Sequence, residues 1–356
     1  MKSLRIAMLS SVHWRTPPVK QGAAELVASN ITEELVKRGH DVTLFATGDS
    51  ITTAKLRWVA PHALLEPSED IIDTKMYSRL HEAMVFEASD EFDIIHNQFD
   101  GYPLVFSKLI KTPVVTTIHG FSTTQIKDLY KRYDNTYYVS ISNANRLHCP
   151  EMNWVANIYH GIDFEKLPFG KGDGGYFAHI GRAYPTKGTH LAIQAALKAG
   201  VKLKIAAHID YNDPVVLDYW QNKCLPYIDG QQIMFVGEVD DEGKSELLKG
   251  AIATLFPIQW DEPFGLVFVE SMASGTPVIV FERGSAPEVI KDGIGGILVE
   301  PDNMDNFVEA IHNVANISRQ NVRDYAKSAF SIETMVDQYE KVYEDIIAKH
   351  KVHSQD

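Results

Sequence analysis

The chain has 356 residues, 45% hydrophobic and 23% charged, with a formal net charge of −13 at pH 7. That length exceeds one ordinary core and implies two domains, in a composition typical of a soluble globular protein. The acidic balance argues against a nucleic-acid partner, no apolar run approaches the ~18 residues of a membrane span, and Cys149 and Cys224 make neither a disulfide framework nor a metal-ligand spacing, so a reducing, cytoplasmic home is expected.

Met1 to Val12 combines a basic start with an apolar run, as a secretory leader does. It lacks a small-residue cleavage pattern and runs into Trp14-Arg15-Thr16-Pro17-Pro18, so Leu4–Ser10 reads as a buried strand instead. A loop, a helix over Ala23–Arg38 stopped by Gly39-His40, and a strand over Asp41–Ala46 complete a βαβ unit. The loop, Ser11–Gly22, is long for such a connection and lies where functional loops gather. A helix over Lys75–Asp90 follows, then strands over Phe92–His96, Thr112–Ile118 and Tyr137–Ile141. Alternation of this kind predicts a parallel sheet covered on both faces.

Phe164 to Gly175, FEKLPFGKGDGG, reads as an interdomain linker. It contains a literal G-x-G-x-x-G at Gly170, Gly172 and Gly175, but a dinucleotide fingerprint needs a strand before it and a helix after it, and here a strand follows. The alternation then resumes: strand Tyr176–Ile180, helix Thr189–Ala199, strand Leu203–Ala207, helix Pro214–Leu225, strand Ile233–Val236, helix Glu242–Lys249 and strand Thr254–Pro257. Strands Val278–Phe281 and Gly296–Val299 and helices Met304–Asn313 and Val322–Lys349 close the chain. The fold class is therefore α/β, with two doubly wound Rossmann-like domains facing a common cleft. The expected boundaries are 1–162 and 163–331, the last helix, about 332–356, crossing back onto the first domain.

Between the last two groups lies WDEPFGLVFVESMASGTPVIVF, Trp260 to Phe281. Pro263 keeps Glu262 on a loop, a helix starts near Gly265, and Ala273-Ser274-Gly275 stops it. Glu270 then falls about a turn and a half into an otherwise apolar helix, where a carboxylate needs a partner. The helix N-terminus between the two acids suits a phosphate.

Glu262 to Glu270 resembles the E-x7-E signature of retaining glycosyltransferases of the GT-B fold, and more closely of glycosyltransferase family 4. Gly181-Arg182-Ala183-Tyr184-Pro185-Thr186-Lys187-Gly188 is similar to that family's G-R-x4-K-G. Tyr159-His160-Gly161-Ile162-Asp163, Phe235-Val236-Gly237-Glu238-Val239 and Thr116-Thr117-Ile118-His119-Gly120 are similar to three further family motifs, so the resemblance spans the chain. Phe256 to Trp260, with Phe45 to Ser50, resembles a subgroup around avilamycin-type, antibiotic-pathway transferases.

The resemblance implies transfer of a sugar, with retention, from a UDP- or GDP-linked donor to an unidentified acceptor hydroxyl. Glu270 would take the ribose hydroxyls, Glu262 and the N–H groups after Phe264 the donor-sugar hydroxyls, the Val236–Val239 turn the base, and His119 the donor sugar or its developing charge. A departing diphosphate must be stabilised, and Arg182 as a fork, Lys187 as a point charge and the backbone of Phe264, Gly265, Leu266 and Val267 supply cations and dipoles for it. No D-x-D set accompanies them, so neither metal nor other cofactor is expected. Family members commonly carry two glycines in the first loop; here Gln21-Gly22-Ala23-Ala24-Glu25 keeps one, Gly22, for close approach of the helix to phosphate or acceptor. A phosphorylase, a nucleotide-sugar epimerase and a non-catalytic nucleotide-sugar binder are the competing readings, and a homodimer and weak membrane association are left open.

Overall fold

The computed structural model describes residues 2–19, 22–65, 73–120 and 127–353. They form two compact units, one running up to Ile162 and resuming at Ile332, the other spanning Asp163–Ser331. Lys20 and Gln21, from the first-loop motif, lie outside the described residues.

In the first unit the elements run β1 (Arg5–Leu9), α1 (Ala23–Lys37), β2 (Asp41–Phe45), β3 (Lys55–Arg57), α2 (Thr74–Glu87), β4 (Ile94–Asn97), β5 (Val114–Ile118), α3 (Lys127–Arg132), β6 (Tyr137–Ser140), α4 (Asn143–Arg146) and β7 (Trp154–Asn157). The strands make one parallel sheet in the order β3-β2-β1-β4-β5-β6-β7. β1 is a run of five residues, four of them buried, because both faces of a parallel sheet are covered. α1 buries Val27, Ile31 and Leu35 at helical spacing, each worth roughly 1.5–3 kcal/mol relative to exposure. It ends where Gly39 takes φ 88°.

The second unit contains β8 (Tyr176–Arg182), α5 (Thr189–Ala199), β9 (Leu203–His208), α6 (Pro214–Tyr219), β10 (Ile233–Gly237), α7 (Asp241–Gly250), β11 (Ala251–Phe256), α8 (Leu266–Ala273), β12 (Val278–Phe281), α9 (Ala286–Val289), β13 (Gly296–Val299), α10 (Met304–Asn313) and α11 (Arg319–Phe330). Its parallel sheet runs β10-β9-β8-β11-β12-β13. Among the described residues no helix is long and apolar enough to cross a membrane.

Several expectations need correction. The single helix expected over Val322–Lys349 is two, α11 and α12 (Ile332–His353), broken at Ser331, whose ψ of 155° is extended. The apolar faces explain the break. Val322, Ala326 and Phe330 belong to the second unit, Phe330 lying edge-on to Phe264, whereas Met335, Val336, Tyr339, Tyr343 and Ile346 pack into the core of the first. Ion pairs of Arg38 with Glu340 and Asp337 tie α12 to the end of α1. Helix Pro214–Leu225 stops being α-helical after Tyr219, widening into a π turn over Trp220–Cys224 and then tightening to a 3₁₀ turn at Pro226. β3 and β7 are short strands that the alternation did not reveal. β11 starts at Ala251 rather than Thr254, and β5 at Val114 rather than Thr112, whose hydroxyl donates to the Ser89 carbonyl instead.

The glycine-rich stretch before β8 is not a free linker. The Gly170 and Gly172 N–H groups donate to the carbonyls of Ser274 and Lys249, and the Arg319 guanidinium donates to the Gly170 carbonyl. A Cβ at Gly170 would lie 2.3 Å from the Lys249 backbone, so this glycine serves close packing of two chain segments.

Candidate active site

In the second unit the site begins where β8 ends. Arg182 pairs in register with His208 at the end of β9; it is exposed, its guanidinium 5.7 Å from the centre of the Tyr184 ring. The turn Pro185–Lys187 then leads through Gly188 into α5. Gly188 has φ 74°, and a Cβ there would stand 2.0 Å from the Pro257 carbonyl oxygen, so the turn can press against the end of β11 only without a side chain. Buried His179 pins the same junction, with Nδ1 2.8 Å from the Leu255 carbonyl and Nε2 2.9 Å from Thr189 Oγ1. Burial lowers it to about 4, so it stays neutral. The Gln259 N–H donates to the Thr186 carbonyl at 2.8 Å, joining the turn to the loop that carries Glu262.

These contacts bring Lys187 and Glu262 together. Lys187 Nζ is 2.6 Å from Glu262 Oε2 and 4.3 Å from the centre of the Trp260 ring, and the Trp260 indole N–H donates to the same oxygen at 3.0 Å. Both charged side chains are mostly buried, at 21% and 13% exposure. The sequence assigned Lys187 and Glu262 to different parts of a ligand; here they neutralise each other, with Trp260 as a third partner that the sequence had only as part of a motif. The backbone around Glu262 is fixed from behind: its carbonyl accepts the Ser285 N–H at 2.8 Å, and Ser285 Oγ donates to the Phe264 carbonyl at 2.9 Å. Gly284, at φ 56°, would bring a Cβ within 2.4 Å of the Glu262 nitrogen.

α8 follows directly. Its cap is Gly265, φ 80°, which supplies no side-chain cap, so the N–H groups of Leu266 and Val267 open the helix without one. A Cβ on Gly265 would meet the Phe268 ring at 2.4 Å. Phe264 is 2% exposed and packs in the core, so its side chain does not reach a ligand. Glu270 has the partner its burial required: Lys244 Nζ at 2.7 Å, from the first turns of α7, which is capped by Asp240. Burial disfavours the Lys244 cation, but Glu270 and Asp241 outweigh it and hold its pKa above the ordinary range. Sequence reasoning demanded a partner for Glu270 and did not name Lys244; the available signal was a lone lysine one turn into the helix after Phe235–Val239. Val239 packs its side chain beside Tyr176, Ala178 and Leu247, leaving its backbone at the start of that helix.

In the first unit, His119 directly follows β5, and its N–H donates to Asp100 Oδ1 at 3.2 Å. Its ring nitrogens lie 2.7 Å from Gln98 Oε1 and 3.4 Å from His160 Nε2. Desolvation lowers His119 to about 4. Asp100, in the left-handed region at φ 47°, is pushed up to about 7 by burial and, secondarily, by Glu25. Gly22 caps α1 at φ 132°, with no room for a Cβ beside Pro18 and the Glu25 carboxylate. Glu25 itself accepts from Ser11 Oγ, which ties the residue after Ser10 to the first turn of α1. Neither Gln98, Asp100 nor Glu25 was singled out from sequence. Among the described residues no group of three or more His, Cys, Asp or Glu side chains is placed to hold a metal ion.

The two halves match two family models: residues 24–167 that of Glycosyltransferase Family 4, and residues 163–329 that of Glycosyl transferases group 1. An uncharacterized glycosyltransferase of Methanocaldococcus jannaschii is 26% identical, the match covering 98% of this chain and 97% of that one. The D-inositol 3-phosphate glycosyltransferase of Mycolicibacterium smegmatis is 22% identical over 97% and 93%. Among solved structures, a sucrose-phosphate synthase from Thermosynechococcus elongatus superposes with a TM-score of 0.76 at 18% identity, covering 97% of this chain and 100% of that one. AviGT4, a glycosyltransferase involved in avilamycin A biosynthesis, gives 0.71 at 21% over 97% and 98%. Anabaena HepE, in complex with UDP and glucose, gives 0.73 at 19% over 96% and 99%. Two parallel Rossmann-like sheets with both halves matched in this way make the chain a glycosyltransferase of the GT-B fold.

Proposed function

We propose that the chain is a cytoplasmic family 4 enzyme that transfers a sugar, with retention and without a metal, from a nucleotide diphosphate to an acceptor hydroxyl. The observation that carries this reading is the Lys187–Glu262 pair held beside the uncapped N-terminus of α8. A diphosphate arriving there meets Lys187, the Leu266 and Val267 N–H groups and exposed Arg182, all polarised for the charge that builds as the leaving group departs. Lys187 then turns from Glu262 to phosphate, and Glu262 is released to accept from sugar hydroxyls. Glu270, held by Lys244, is assigned to the ribose, and the Val239 backbone to the base. The UDP and UDP-glucose bound by the HepE structures support a UDP-linked donor. His119, in the first unit, is assigned to the positive charge developing on the sugar, and the first unit to the acceptor. With retention, the acceptor proton passes to the departing phosphate oxygen, so no carboxylate acts as nucleophile.

The test is release of nucleoside diphosphate from a panel of UDP- and GDP-sugars, with slow hydrolysis to water as the acceptor-free readout. Glu262→Ala, Lys187→Ala and Arg182→Ala are each expected to lower turnover by about 10²-fold or more, as loss of a charge-stabilising donor does, with unchanged circular dichroism. Turnover at the wild-type rate in all three, or consumption of sugar phosphate in place of nucleotide sugar, refutes the reading.

A further inference from the structure

Gln98 follows β4, its side chain buried, its N–H donating to the Leu9 carbonyl at 2.8 Å. Its carboxamide lies between two imidazoles: Oε1 is 2.7 Å from His119 Nε2, and Nε2 is 2.8 Å from His96 Nε2. An amide oxygen only accepts and an amide nitrogen only donates. With the carboxamide in this orientation, His119 carries its proton on Nε2, and His96 carries its own on Nδ1, which meets Tyr343 Oη at 2.6 Å. Thr117 Oγ1 completes the chain, 2.8 Å from His96 Nε2 and 2.8 Å from Tyr339 Oη. His119 Nδ1 is left as an acceptor toward His160 Nε2, 3.4 Å away.

The other groups around His119 do not favour its cation. Asp100 receives the backbone N–H of His119, not its ring, and Glu25 of α1 acts on Asp100. His96 and His160 are themselves imidazoles driven toward the neutral form by burial, and α12 brings the phenols Tyr339 and Tyr343, with its Glu340 acting on Tyr343. A carboxylate in place of Gln98 would stabilise an imidazolium; the amide gives direction without charge.

We propose that Gln98 is a positioning residue whose carboxamide holds His119 as the neutral Nε2–H tautomer, so that no imidazolium stands beside the positive charge that develops on the transferred sugar. The proposal rests on the assignment of His119 to the donor sugar above, and its tautomer arm is independent of that assignment. Full-length protein labelled with ¹⁵N-histidine, with the His119 signals identified by their loss in His119→Asn, reports the tautomer and its titration through long-range ¹H–¹⁵N correlations. The wild type is expected to show His119 as Nε2–H without titration between about pH 5.5 and 8, burial shifts of this kind reaching several pH units. Gln98→Leu, close in size and apolar, is expected to mix or reverse the tautomer. Gln98→Glu is expected to bring the His119 pKa into the measured range, and kcat is expected to fall about tenfold per pH unit below it, as for any group that must be neutral. An Nδ1–H tautomer in the wild type, or one unchanged in Gln98→Leu, overturns the positioning role whatever the activity. A Gln98→Glu enzyme whose His119 titrates while kcat stays flat overturns the link between that charge and transfer.

Discussion

Replacing Lys244 by Met isolates the partner that Glu270 requires. The variant keeps the length of the side chain and removes its charge, leaving the Glu270 carboxylate, at 12% exposure, without the ammonium 2.7 Å away. Removing one partner of a fully buried pair costs about 3–5 kcal/mol. Lys244 and Glu270 retain some solvent access, at 20% and 12%, so the expected loss is lower, about 2 kcal/mol. For a unit the size of Asp163–Ser331 that is a fall of roughly 4–8 °C in melting temperature. The double variant Lys244→Met/Glu270→Gln removes both charges and is expected to recover at least about 1 kcal/mol of the loss. Differential scanning calorimetry of the wild type, both single variants and the double variant measures the coupling, and a nucleotide titration by calorimetry shows whether an untethered Glu270 binds ribose less well. If Lys244→Met melts within about 1 °C of wild type, or the double variant is no more stable than Lys244→Met, the pair does not govern Glu270 and the reasoning fails.

The remaining expectations concern backbone and pH. Gly265→Ala forces a Cβ into left-handed backbone and against the Phe268 ring 2.4 Å away, so a loss of roughly 1–2 kcal/mol from the backbone alone is expected, with weaker nucleotide binding; an unchanged melting temperature and affinity would contradict the role given to the α8 cap. Asp100 is raised to about 7 in the folded protein, so the folded state holds a proton that the unfolded state gives up near pH 4. The associated penalty is absent below pH about 4, grows as pH rises, and is complete above about 7. Asp100→Asn, which keeps an acceptor for the His119 N–H, is therefore expected to raise the melting temperature at pH 8 and leave it nearly unchanged at pH 4.5. Its side chain is only partly buried, so the gain at pH 8 is set at about 1–2 kcal/mol rather than the full shift. A larger gain at pH 4.5 than at pH 8 would reverse the sign of the argument.

The alternation of short apolar runs with amphipathic helices determined two parallel Rossmann-like sheets, because a strand covered on both faces has to be apolar throughout and its crossover helix has to be apolar on one stripe. The loop position of Glu262, the helix start at Gly265 and the need of Glu270 for a partner were equally legible, since proline, glycine and a carboxylate among apolar neighbours each carry a local constraint. Tertiary structure decided the partners. That Lys244 answers Glu270, that Lys187 reaches Glu262 over Trp260, and that an amide at position 98 meets both His96 and His119 depend on strand order and on loops from distant segments. Local spacing carries no record of such meetings. The break at Ser331 has the same origin: Phe330 and Met335 lie in one helical pattern, and only the existence of two separate cores sends them to different places.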